Sequence, residues 1–261
     1  MIKANLTLAA VTLFFVASVS EIDARSPSPQ RVFEAACYGN AEPVQRALAR
    51  GFSVDERAEI MGITGTPLFF TAACPGVDTE DRLKIASLLI AAGADVNAPG
   101  VFHVEQPIGM TPLIAAAYSV KPGLLHLLLE NGARVDEGDP MNQGTAMHWA
   151  AEVDCAACIR FLLRHGARPD VRNAQALTPL FIAAYLGFTD TVEVLLEAGA
   201  DPNPRDARGT GVLEVVEDEE VMAMLKGARR EQVAKYVVLA IFFAGLLAAG
   251  AYFWAGREDP V

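Results

Sequence analysis

At 261 residues, 52% hydrophobic and 20% charged, the chain has room for one sizeable folded unit and something membranous besides. A net charge of −11 and a sequence pI near 4.8 argue against nucleic acid or an anionic lipid surface as the main partner, since neither is attracted to an acidic body. Four cysteines allow two disulfides at most, and composition alone does not choose among the pairings. The mean hydropathy of +0.27 is high, and the excess lies at the two ends.

Taken in order, residues 1–20 carry Lys3 and then the apolar run LTLAAVTLFFVASVS, which has the length of a signal peptide and ends in small residues, Ser18 and Ser20. Residues 21–30 (EIDARSPSPQ) are polar and proline-containing, as a linker is. Residues 31–55 contain a helix, a turn at Gly39 and a second helix ending at Gly51, and residues 66–97 follow the same plan from Thr66 and Pro67. Residues 75–80 (PGVDTE) lengthen the turn inside that second unit. The connection 98–110 is longer than later ones and places Val101, Phe102, His103 and Val104 on an expected projecting finger.

Three further units start at Thr111, Thr145 and Thr178, and a shortened one at Thr210, at intervals of 34, 33 and 32 residues. The unit from Thr178 to Asn203 is the clearest. Threonine is a good N-cap, proline at the first helical position loses no hydrogen bond, and Ala183 and Ala184 admit a close neighbour. Gly187 breaks the first helix, Val192, Val194, Leu195 and Leu196 make the second apolar on one face, and Gly199 suits a left-handed cap. One such hairpin cannot bury its apolar face alone, so copies must stack. The pattern TPL…AA…G…LL..GAD.N and its spacing resemble the ankyrin repeat. That resemblance covers residues 31–230 and implies an all-α solenoid of five repeats plus a shortened cap, working as a protein-binding module. Departures are the missing Thr-Pro of the first unit, Ala146 for proline, Asp154 for the central glycine, Ala176 near a loop glycine, and the two insertions.

In that family the residues just before the central glycine point into the concave face. Here they include Tyr38, Tyr118, Tyr185 and Leu186, and tyrosine gives large contact area at low entropic cost. These four, with Phe102 on the finger, are the expected partner-binding residues; filling the groove between helices is the competing use of the tyrosines. Cys155 and Cys158 form CAAC at a helix start, where i, i+3 geometry allows a disulfide and the helix terminus lowers a thiol pKa. A structural disulfide or plain core thiols is the reading adopted, with thiol-disulfide catalysis the alternative. Cys37 and Cys74 lie on neighbouring first helices whose axes are about 8–10 Å apart, too far for an easy bridge. No nucleophile elbow, HExxH or phosphate-binding loop occurs, so no catalytic residue, metal site or cofactor is expected. His148 takes the histidine place of the family's TPLH, where it braces the loop.

Residues 231–235 read as a basic juxtamembrane linker, and 236–254 (YVVLAIFFAGLLAAGAYFW) as one uncharged membrane-spanning helix with a short tail, 255–261. Ala244 with Ala248 and Gly245 with Ala249 form a small-residue strip suited to weak self-association. The N-terminal run argues for export, with the repeats in the periplasm. Lys226, Arg229, Arg230 and Lys235 before the span argue for a tail-anchored adaptor on the cytoplasmic face. The expectation adopted is a membrane-tethered, periplasmic interaction or scaffold protein.

Overall fold

The computed structural model describes residues 29–255 other than 61, 75, 77–78 and 104–107, with the side chains of residue 29 and of 241–255 outside the description. The expected signal peptide, most of the linker and the tail from 256 lie outside the described residues.

Five helix pairs follow one another: α1 (Pro29–Tyr38) with α2 (Ala41–Ala49), α3 (Pro67–Ala73) with α4 (Glu80–Ala91), α5 (Pro112–Tyr118) with α6 (Pro122–Glu130), α7 (Ala146–Glu152) with α8 (Ala156–Arg164), and α9 (Pro179–Leu186) with α10 (Thr189–Glu197). The first helices stack in one layer and the second helices in another. Their starts are set by the threonines. The hydroxyls of Thr66, Thr111 and Thr178 accept from the backbone N–H three residues on, at 3.2, 3.3 and 3.2 Å. Their contact is set by alanine. Ala35 and Ala36, Ala72, Ala115 to Ala117, Ala150 and Ala151, and Ala183 and Ala184 are all buried between consecutive first helices. Behind them Val44, Ile85, Leu89, Leu124, Leu128, Ile159, Leu162, Val192 and Leu195 make the second layer of the core.

The fold is not all-α. Strands β1 (Ala58–Ile60), β2 (Ile63–Gly65), β3 (Gly100–Phe102) and β4 (Ile108–Met110) form an antiparallel sheet in that order, built from the two long connections. Consecutive inter-repeat connections leave the stack side by side, and two of them are long enough here for their backbones to pair. Ile63 faces Phe102 across β2 and β3, and Thr64 Oγ1 lies 2.8 Å from His103 Nε2. The sheet rests on a run of edge-to-face rings, Phe52–Phe33–Phe70–Phe69–Phe102, with centroids 5.7–6.3 Å apart. Phe102, expected to project, is 6% exposed and packs on Phe69, so it is removed from the partner-binding set.

A second correction concerns the C-terminus. A 3-10 turn (Val212–Glu214) leads to α11, a single helix of 37 residues from Glu219 to Ala255. It is not a linker followed by a separate span. Residues 231–235 are helical, and the helix begins by burying Val221 and Leu225 as the last layer of the stack. Glu219, Glu220, Lys226, Arg229, Arg230, Glu231 and Lys235 then interrupt its apolar character. Among the described residues no helix is long and apolar enough to cross a membrane, so the C-terminal span and the single-span membrane placement of the chain do not stand. The small-residue strip at 244–249 lies among side chains outside the description.

Gly65 and Gly100 let β2 and β3 lie on the Phe69 ring, because a Cβ at either would collide with it. Gly100→Ala is therefore expected to cost about 1–3 kcal/mol by overpacking. Urea unfolding of the variant checks this, and an unchanged midpoint would show that the sheet does not depend on that contact.

Candidate functional site

The turns joining each first helix to its second line up as one edge of the stack. They touch in sequence: a Cβ at Gly39 would lie 3.6 Å from Thr79 Oγ1, Ser119 Oγ donates to Ala73 O at 3.4 Å, Thr191 Oγ1 donates to Asp154 at 2.8 Å, and a Cβ at Gly187 would lie 3.7 Å from Asp218 Cβ.

Three of the expected partner-binding residues stand exposed on this edge: Tyr38 at 51%, Tyr185 at 45% and Leu186 at 37%. Tyr118 does not stand with them. It is half-buried, its ring edge-on to Trp149 with centroids 5.5 Å apart, and burial first, then the charge of Glu152, pushes its phenol pKa up. Burial likewise raises Glu152, whose carboxylate shares this part of the groove. Val120 is a residue that the sequence reading passed over. It is 49% exposed and holds φ = +53° in the turn where Gly39 and Gly187 hold +76°. A β-branched residue pays about 1–2 kcal/mol for that left-handed conformation. Its signal in the sequence was the absence of glycine two residues after Tyr118.

Beside Val120, Lys121 turns inward and is fully buried. Its ammonium donates to the carbonyls of Thr71, Ala72 (2.7 Å) and Cys74 at the end of α3, where Arg82 also donates to Thr71 O and Cys74 O. Two cations therefore sit on the carbonyl end of one short helix, the sign that a helix C-terminus favours.

Both cysteine pairs are oxidised. Cys37 and Cys74 are bridged, contrary to expectation, with Cα atoms 5.2 Å apart. The interaxial distance was the wrong measure: each helix carries its Cα atoms about 2.3 Å off axis, so facing positions approach to within about 5 Å when alanines separate the helices. Cys155 and Cys158 are also joined. Both are buried, and Cys155 Sγ accepts from Cys158 N at 3.2 Å as the N-cap of α8. A disulfide enclosed in the core offers no sulfur to an incoming thiolate, so thiol-disulfide catalysis has no support here.

His148 braces two repeats. Its Nδ1 accepts from Thr145 N at 3.1 Å and its Nε2 donates to Leu177 O, 29 residues on, at 3.0 Å. With both nitrogens used and both nearby cysteines bonded, no metal-ligand set assembles at this place.

Residues 113–206 match the family model for ankyrin repeats in three copies. The chain carries ankyrin repeats. Among curated relatives, "Ankyrin repeat and SOCS box protein 11" of Danio rerio is 36% identical over 119 residues, covering 45% of this chain and 40% of that protein. "Ankyrin repeat and KH domain-containing protein mask-1" of Caenorhabditis elegans is 34% identical over 131 residues, 49% of this chain and 5% of that one. "E3 ubiquitin-protein ligase XBAT32" of Arabidopsis thaliana is 27% identical over 203 residues, 67% of this chain and 37% of that one. The chain thus spans well under half the length of these relatives, and what it shares with them is the repeat array. Ankyrin repeats are protein–protein interaction modules and in general not catalytic.

Burial holds His148 below the ordinary imidazole pKa of about 6.5, despite opposing contributions led by the Leu177 carbonyl. The unfolded chain therefore binds a proton that the native state refuses, and stability is lost as pH falls from about 6.5 toward the lowered native value. Urea midpoints measured from pH 7.5 to 5 are expected to fall across that window, and to fall less in His148→Asn. Equal pH slopes in both proteins would show that the imidazole is not held neutral.

Proposed function

We propose that the ankyrin-repeat array docks a protein partner along the edge formed by Tyr38, Tyr185 and Leu186, with Tyr118 setting the floor of the adjoining groove. One observation carries this reading. Outside α11, four of the five exposed large hydrophobic residues among the described ones, Tyr38, Val120, Tyr185 and Leu186, lie on this single edge, and only Met141 lies elsewhere. Scattered exposed apolar side chains need no explanation, but a row at one recurring place in successive repeats does. Tyrosine on such a row supplies rigid contact area with a polar tip, which suits a surface that is wet when unoccupied.

This fold carries many unrelated functions, so the chemistry of the edge, not the repeat itself, selects the partner. The triple variant Tyr38→Ala/Tyr185→Ala/Leu186→Ala removes only exposed groups and is expected to keep wild-type circular dichroism. Quantitative affinity capture with the full chain as bait should then show recovery of its specific partners falling about tenfold or more, the scale of losing one or two hot-spot residues. Undiminished recovery by a folded triple variant would move the docking surface off this edge.

A further inference from the structure

Along the same edge the turns alternate in character from one repeat to the next. Tyr38 is followed by the lengthened turn with Glu80 and Asp81, then Val120, then Glu152 and Asp154, then Tyr185 and Leu186, then Glu217 and Asp218. Glu80, Asp81, Asp154, Glu217 and Asp218 are exposed and Glu152 is half-buried. Asp190, in the first turn of α10, adds charge of the same sign, whereas Glu42 in the first turn of α2 is paired with Arg46 at 3.3 Å. The cations of this row, Lys121 and Arg82, are both buried on the carbonyls of α3. The other exposed arginines and lysines of the repeats lie on the second helices and the inter-repeat connections.

Helix N-termini favour carboxylates for their own stability, which accounts for Glu42, Glu80, Asp81 and Asp190. It does not account for Glu217, which precedes the cap of α11, or for apolar side chains at the intervening turns. Nor does it account for the β-branched residue held at positive φ in one of them, a strain that persists only where something sustains it.

We propose that the occupant of this edge is an extended, cationic segment of a partner protein, in which apolar and basic side chains alternate on one face. The inference rests on the edge being the docking surface and adds the chemistry of what docks. Stacked helices repeat every 8–10 Å or so. A polyproline-type extended chain returns to the same face every three residues, about 9 Å. Such a segment can therefore set an apolar residue against each of Tyr38, Val120 and Tyr185–Leu186, and a Lys or Arg against each acidic turn between them. A second copy of this chain, with its net charge of −11, is repelled from the same surface, as is nucleic acid.

The probe is a fluorescein-labelled peptide of three Leu-Pro-Ser-Lys-Pro-Ser units, about 56 Å when extended, titrated against the full chain by anisotropy. It is expected to bind at least about tenfold more tightly than its Lys-to-Glu counterpart, and more tightly than a peptide of the same composition with all its lysines in one block. Binding should weaken with salt. Glu217→Lys/Glu219→Lys, which spares the Asp218 side chain that accepts from Val221 N, should lose about fivefold or more, and Glu193→Lys/Glu197→Lys on the outer face should not. Equal binding of the alternating and block peptides, or equal loss in the two charge variants, overturns the proposal. If the alanine variant of the edge loses its natural partners while Glu217→Lys/Glu219→Lys leaves peptide binding unchanged, the docking surface stands and the cationic occupant falls. If neither variant changes anything, both fall.

Discussion

Close approach of the first helices is the constraint on which the rest of this structure depends. Alanines buried at the contact bring consecutive helices near enough for backbone-level links between repeats. Cys37 reaches Cys74, Lys121 reaches the carbonyls of Thr71, Ala72 and Cys74, and Ser119 reaches Ala73 O. Three successive repeats thus converge on the end of one seven-residue helix. A helix that short has four carbonyls without intrahelical partners, more than half its length, and the neighbours supply what it cannot.

The same contact fixes the spacing of the turns, and the spacing converts single exposed residues into a row. Tyr38, Val120 and Tyr185 are more than 140 residues apart in sequence at the extremes, yet they occupy one edge because each repeat returns its turn to the same place. Stability in such an array is close to a sum over neighbours. The terminal layers are accordingly where extra fastening falls: the disulfide and the phenylalanine run at one end, and α11 with Val221 and Leu225 at the other.

Most of the helical plan was legible because its signals are local. Threonine caps, proline at the first helical position and glycine after the second helix act within four residues of themselves, and the period of the copies exposed them. What was missed depends on contacts between distant segments. The strand pairing of Ile63 with Phe102 needs the connections before α3 and α5 to be adjacent, which no single stretch announces. Phe102 turned inward because Phe69 stands where His148 stands two repeats later, offering a ring in place of a hydrogen bond. Lys121 drew no expectation at all, since burial among carbonyls leaves no mark in the sequence. The exposed tyrosines at 38 and 185 occupy the two positions before the turn glycine, whereas Tyr118, in the same register as Tyr185, is half-covered by Trp149 from the next repeat. The apolar C-terminal run was judged on residues 236–254 by themselves, apart from the helix that starts at Glu219.

Hydrogen exchange on the full chain, with and without the alternating Leu/Lys peptide, tests the central claim most directly, because it reads the docking surface in all repeats at once. Protection is predicted in the backbone around residues 38–41, 79–81, 118–121, 152–155, 185–188 and 217–219, with the rest of the second helices and the sheet unchanged. Protection confined to β1–β4 or to the outer face of the second helices, or none at saturating peptide, would contradict the account.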